Sequence, residues 1–187
     1  MNGQNDTLIE TAAGLQFDLQ NPEAQMVSLA DIAHSLGHIC RYTGHCHGFY
    51  SVAEHSVLCS EVAEESWDER MAVLALLHDA AEAYIGDINN PLKQMLKPRI
   101  SEIEAAIQAQ VWTAMGIPAP APEEHHNIKY VDAVLLACEA RDLMTSGGRW
   151  WEIPVDADRH IKPHCWKPMR AMDEFLVRAA ELGIGDE

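Results

Sequence analysis

The stretch LLHDAAEAYIGD, residues 76 to 87, constrains the chain more than any other. Its apolar residues recur at helical spacing, yet it also carries His78, Asp79, Glu82 and Asp87. A charge taken out of water is strongly destabilising unless it is paired or binds a metal. A chain that buries this segment must therefore bring partners for these groups from elsewhere.

Helical periodicity also dominates the rest of the sequence, and the alternating Val/Ile/Thr pattern of strands is nearly absent. A first helix begins at Ser28, with Ser28 and Asp31 as a capping box and Leu29, Ile32, Ala33 and Leu36 on one face. A second runs from about Ser51 to Glu65 with Val57, Leu58 and Val62 inward. A third runs from near Asp68 to the stop at Gly86 and turns Met71, Leu74, Leu77, Ala81 and Tyr84 to the core. Ser101 and Glu104 form a capping box for a fourth, with Ile103, Ile107, Val111 and Met115 as its stripe. The helix from about Glu124 to Thr145 buries Ile128, Val131, Leu135 and Cys138. A last one, from about Pro168 to Leu182, carries Met172, Phe175, Leu176 and Ala179. Residues 15 to 27 leave a short hairpin or an extended lead-in open, and residues 146 to 166 read as a long irregular loop. The expectation is an all-α fold, a compact multi-helix bundle in a single domain of 187 residues.

Composition narrows the function classes. No segment reaches the ~20 consecutive apolar residues of a membrane span, and the polar start MNGQNDT lacks a signal-peptide layout. Five scattered cysteines without a CxxC pair argue against a disulfide framework or a thiolate zinc knuckle, which favours a reducing cytoplasm. Thirteen basic residues against 29 acidic ones give a formal charge of −16, which repels polyanions, so neither a nucleic-acid polymer nor a membrane is an expected partner. A small anionic substrate is compatible if a metal and a few local cations reverse the field inside one pocket. Ten histidines point towards such a metal.

Neighbouring residues on a helix point about 100° apart, so His78 and Asp79 share an ion only above their common edge, with Glu82 nearby. Further ligands must come from other helices. His55 in SVAEHS and Asp132 in YVDAVLL are the candidates, because both sit at or beside apolar stripes. Against this stands an ordinary reading: an HD dipeptide arises by chance, and a buried histidine is commonly satisfied by a carbonyl. His34 and His38, four apart but without the glutamate of HExxH, read as structural. His125 and His126 read as an exposed helix start, and Trp150, Trp151 and Trp166 as packing.

The string HxnHDxxExxxxD…D, with EHS before it and GDINNPLK after it, resembles the HD-domain phosphohydrolase superfamily, above all its small bacterial and phage 5′-deoxynucleotidase-like members. The resemblance spans about Asp31 to Met144 in the blocks ICRYTGHCHGFYSVAEHS, LLHDAAEAYIGDINNPLK and VDAVLLACEARDLM. It implies that His55, His78, Asp79 and Asp132 hold one divalent ion, Zn2+ by default with Co2+ or Mn2+ open. It implies Glu82 as acid/base partner of the attacking water and Asp87 as a second acid near the leaving oxygen. Arg41 matches the substrate-side arginine, and Tyr42 stands where a tryptophan is typical; His45 and Lys93 are further candidate substrate contacts. The implied activity is removal of phosphate from a deoxynucleoside 5′-monophosphate. A deoxynucleoside triphosphohydrolase acting on a substrate such as dATP, a hydrolase of a signalling guanosine 3′-diphosphate and a non-catalytic metal-stabilised helical module are the alternatives. The scarcity of extra cations favours the monophosphate, and a homo-oligomer is left open.

Overall fold

The computed structural model describes residues 6–185. Strands β1 (Leu8–Glu10) and β2 (Gln16–Asp18) pair antiparallel with Ile9 opposite Phe17, so the lead-in is a hairpin that starts before residue 15. Phe17 anchors it: the ring is fully buried and stacks on Tyr84 with centroids 3.8 Å apart. Helix α1 (Leu29–His38) is capped by Ser28, which accepts from the Asp31 N–H. The Asp31 carboxylate does not complete the expected box; it turns to the hairpin and accepts from the Ala13 N–H at 2.7 Å.

Ser51 caps α2 (Val52–Ser66) by accepting from the Glu54 N–H. Residues 68 to 86 do not form one helix. Helix α3 (Glu69–Leu76) ends well short of the expected stop at Gly86, and only α4 (Glu82–Ile85) follows before Gly86, whose φ of 82° ends it. The cause lies on another element. After α5 (Asn90–Leu96) comes α6 (Arg99–Ala114), and from it the Gln108 amide enters the backbone ladder. Its Nε2 donates to the Leu77 carbonyl at 2.8 Å and its Oε1 accepts from the Ala81 N–H at 3.1 Å. Those two backbone groups would bond each other in a continuous α-helix. A side chain inserted in this way breaks the ladder, and the freed segment tightens into i→i−3 bonds such as Glu82 N–H to Asp79 O at 2.9 Å. His78 and Asp79 thus lie in a turn, where consecutive side chains can converge.

Helix α6 starts at Arg99, ahead of the expected Ser101 cap, and still buries Ile107 and Val111. Helix α7 (Pro122–Leu143) buries Ile128, Val131, Leu135 and Cys138 as its pattern requires. Helix α8 (Pro168–Glu181) packs on α1 at Gly37, where a Cβ would lie 2.9 Å from the Pro168 carbonyl oxygen and 3.1 Å from Met172 Cβ. The long loop before α8 is tied down by one buried carboxylate: Glu54 accepts from the N–H groups of His164, Cys165 and Trp166 at 2.5, 3.0 and 2.7 Å. A contiguous core runs from Phe17 to Ile184 and includes Leu36, Tyr50, Leu77, Ile107, Leu135 and Phe175. The result is the expected all-α bundle with a small hairpin at one edge, and none of its described helices is long and apolar enough to cross a membrane.

Gln108→Ala strands the Ala81 N–H and leaves the Leu77 carbonyl with the Ala80 N–H alone at 3.1 Å, and the expected loss is about 1 to 3 kcal/mol. Urea unfolding followed by circular dichroism checks it; an unchanged midpoint would show that the break at residues 77–81 does not depend on this amide.

Candidate metal centre

His55 is fully buried on α2, and its two ring nitrogens face different partners. Nδ1 donates to Glu139 Oε1 at 2.6 Å, which leaves the lone pair on Nε2. Around that nitrogen stand Asp132 Oδ1 at 3.3 Å, Cys59 Sγ at 3.4 Å and Asp79 Oδ2 at 3.7 Å. His78 has the same polarity: its Nδ1 donates to the Ala75 carbonyl at 2.7 Å, and its buried Nε2, without a hydrogen-bond partner, lies 3.2 Å from Asp79 Oδ2. Of the four expected ligands, Asp79 and Asp132 thus approach His55, and His78 approaches Asp79, from α2, the turn after α3, and α7.

His55, Cys59 and His78 each offer one ligand atom within 4.8 Å of the others, so the group could hold a metal ion. The donor set fits one. Two imidazoles and two carboxylates facing one another are balanced either by protons on the imidazoles or by a cation that displaces those protons and takes the lone pairs. Ligand atoms about 2.0 to 2.3 Å from a common ion stand roughly 3 to 3.7 Å from each other, which is the spacing around His55 Nε2. The centre opens to solvent at Asp132, whose side chain is 46% exposed. A separate cavity of about 340 Å³ between the hairpin, α1 and α4 is lined by none of the expected site residues.

No protein-family model matches the chain. It is 39% identical over 147 residues to the uncharacterized protein YfdR of Escherichia coli (strain K12), covering 79% of this chain and 78% of that protein. It is 36% identical over 138 residues to the uncharacterized protein RCAP_rcc00048 of Rhodobacter capsulatus, covering 70% of each. The chain belongs to the YfdR family.

In this YfdR-family chain the other expected residues are distributed unevenly. Arg41 is buried, with Nη1 3.6 Å from Asp79 Oδ2 and Nε 3.2 Å from Glu139 Oε2. Tyr42 donates its hydroxyl to the same Glu139 oxygen and packs beside Trp151, with centroids 5.5 Å apart. His45 lies exposed on the rim of that loop. Lys93 does not stand free for a phosphate: its ammonium sits 3.1 Å from Glu82 Oε1 and 2.9 Å from Glu104 Oε1. Glu82 is buried with Oε2 unpartnered, and Asp87 follows α4 closely enough for its charge to act on Glu82.

Sequence reasoning missed Cys59 and Glu139. Cys59 lies one helical turn after His55, and Glu139 two turns after Asp132 within a quoted block, so the i+4 and i+7 spacings were available as signals. Burial pushes the Cys59 thiol up to about 11, with His55 pulling it down, so it holds its proton at neutral pH unless a metal displaces it.

Burial alone would raise the Asp79 carboxyl, but His78, His55 and Arg41 hold it well below the usual range. Burial opposes protonation of His78, and Asp79 outweighs it, so the His78 pKa is raised. In metal-free protein the His78 proton stabilises the fold fully below the ordinary histidine value of about 6.5, and this contribution is lost as pH rises through the raised value. A divalent ion must displace that proton. Affinity for Co2+, titrated by visible absorption, should rise with pH above about 6, by about tenfold per pH unit for each proton displaced, until His78 is neutral without the metal. A flat profile from pH 6 to 8 would contradict proton competition at His78.

Proposed function

We propose that this YfdR-family protein is a metal-dependent phosphohydrolase of the HD-domain type, which removes inorganic phosphate from a deoxynucleoside 5′-monophosphate. The observation that carries the reading is the buried charge balance around His55. Asp79, Asp132 and Glu139 face the guanidinium of Arg41, which leaves two negative charges; protons on His55 and His78, both favoured there, balance them in metal-free protein, and a divalent ion that displaces those protons would balance them equally. A divalent ion held by His55, His78, Asp79 and Asp132, with zinc as first choice and cobalt or manganese as alternatives, supplies Lewis acidity to phosphate oxygens and lowers the pKa of water.

The protein's own groups supply the rest. Arg41 has Nε committed to Glu139 and Nη1 3.6 Å from Asp79, so Nη2 is the guanidinium nitrogen left for a phosphate oxygen. Burial, then the Asp79 and Asp87 charges, push the Glu82 carboxyl well above its ordinary value, so it can hold a proton at neutral pH. In its ionised form the Glu82 carboxylate would take a proton from the attacking water as the new P–O bond forms, its raised pKa making it the stronger base, while the departing 5′-oxygen takes a proton on the opposite side as the old P–O bond breaks. Asp87 is the second carboxyl beside this path. Lys93, held between Glu82 and Glu104, orients the Glu82 oxygen it touches. Its commitment also leaves few cations for a polyphosphate tail, which supports the monophosphate over the triphosphate. An ion that merely tied helices together would have no use for Glu82 and its unpartnered oxygen.

Purified protein loaded in turn with Zn2+, Co2+ and Mn2+ should release inorganic phosphate from deoxynucleoside monophosphates faster than from ribonucleotides or triphosphates, as identified by ion chromatography of the products. Glu82→Ala should keep its bound metal and melting temperature while turnover falls by about 10²- to 10⁴-fold. Full turnover in that variant would overturn the mechanism, and tripolyphosphate as the released species would overturn the choice of substrate.

A further inference from the structure

We infer that Glu139 is a positioning residue that fixes the metal-facing histidine and the phosphate-facing arginine with one carboxylate, so that both halves of the site depend on the same buried charge. The inference rests on the hydrolase reading above. Glu139 has no exposed surface and accepts from four side chains on three chain segments. Oε1 takes the His55 Nδ1–H at 2.6 Å and the Tyr50 hydroxyl at 2.9 Å; Oε2 takes Arg41 Nε at 3.2 Å and the Tyr42 hydroxyl. Each oxygen is thus assigned, and the carboxylate cannot swing to serve one partner better without leaving the other.

The two sides need this hold for different reasons. A neutral imidazole can carry its proton on either nitrogen, and the bond to Glu139 keeps it on Nδ1, so that Nε2 presents its lone pair to Asp79, Asp132 and Cys59. On the other side, Tyr42 and Thr43 lie in the left-handed region with φ of 58° and 55°, a conformation that residues with side chains adopt at a penalty. Such a backbone persists only where surrounding bonds over-determine it. The Tyr42 hydroxyl and Arg41 Nε on Glu139, with the Arg41 N–H to Tyr50 O bond at 2.8 Å, are those bonds. Glu139 touches neither the phosphate nor the ion; it acts through His55 and Arg41.

Glu139→Gln keeps the volume and removes the charge. Cobalt titrated into this variant should bind about 10- to 100-fold more weakly than in wild type. Inorganic phosphate titrated by calorimetry at saturating cobalt should bind about tenfold more weakly, the scale of one charge-assisted contact. In an Arg41→Ala background the substitution should still weaken cobalt but no longer weaken phosphate, a pattern that a purely structural role does not produce. Tyr50→Phe, which removes a donor but leaves the charge, should lower the melting temperature while leaving cobalt affinity within about threefold. If Glu139→Gln does not fold, Glu139→Asp carries the same titrations, since the shorter side chain cannot span His55 and Arg41 together. Wild-type protein that takes up no cobalt would overturn the metal reading and this inference together. Wild type that binds cobalt while the Glu139 variant binds it equally well, or a phosphate loss that persists without Arg41, would overturn this inference alone.

Discussion

The charge balance inside the bundle is the constraint on which the other features depend. His55, His78, Asp79, Asp132, Glu139 and Arg41 meet in a space where water cannot screen them fully, and each is there because another makes it tolerable. The Glu82 group forms a satellite with its own balance: Lys93 is shared by Glu82 and Glu104, and burial favours a proton on Glu82. Removing Asp79, Glu139 or Arg41 leaves its partners uncompensated, whereas removing Glu82 leaves Lys93 paired with Glu104. The core around these groups is apolar, and it holds the geometry while the charges set what that geometry can bind.

The turn at residues 77–81 is what allows the network to form. On an unbroken helix His78 and Asp79 would diverge by about 100°. With the Gln108 amide bonded to Leu77 O and Ala81 N–H, the ladder opens without leaving a buried group unsatisfied, and both side chains point to the same space. Helical periodicity in the sequence runs straight through this break because Leu77, Ala81 and Tyr84 are all buried, as a continuous helix would also require. Nothing local marks the interruption; the residue responsible is contributed by α6.

The same distinction explains what could be read from the chain and what could not. Helix positions and buried faces follow from spacing, and those of α2, α7 and α8 agree within a few residues. The approach of His55 and Asp132 to the HD pair was expected from the motif pattern, since helix periodicity carries no information on which helices face each other. Capping signals were less dependable: Ser28 caps α1 while Asp31 serves the hairpin, and Ser101 lies inside α6 because Arg99 already continues the turn. Lys93 looked like a phosphate contact by its place after the His78–Asp79 segment, but the nearest uncompensated charges were carboxylates, and it pairs with them. Glu139 was hidden by its type, since a glutamate on a helix is commonly a solvated residue.

Under the proposed hydrolase reading, an acidic protein needs its field reversed only locally. The formal charge of −16 is spread over the surface, and exposed charges beyond about a Debye length, roughly 8 to 10 Å, are screened by salt. Arg41 and the proposed cation act at contact distance in a space of lower dielectric, where each charge counts for far more. The surface therefore disfavours polyanions, which must lie along many surface positions at once, without barring a small phosphate ester that reaches the centre. The proposed choice of a small monoester rests on the same arrangement: Arg41 sits inside, next to Asp79, and Lys93 is already paired with Glu82 and Glu104.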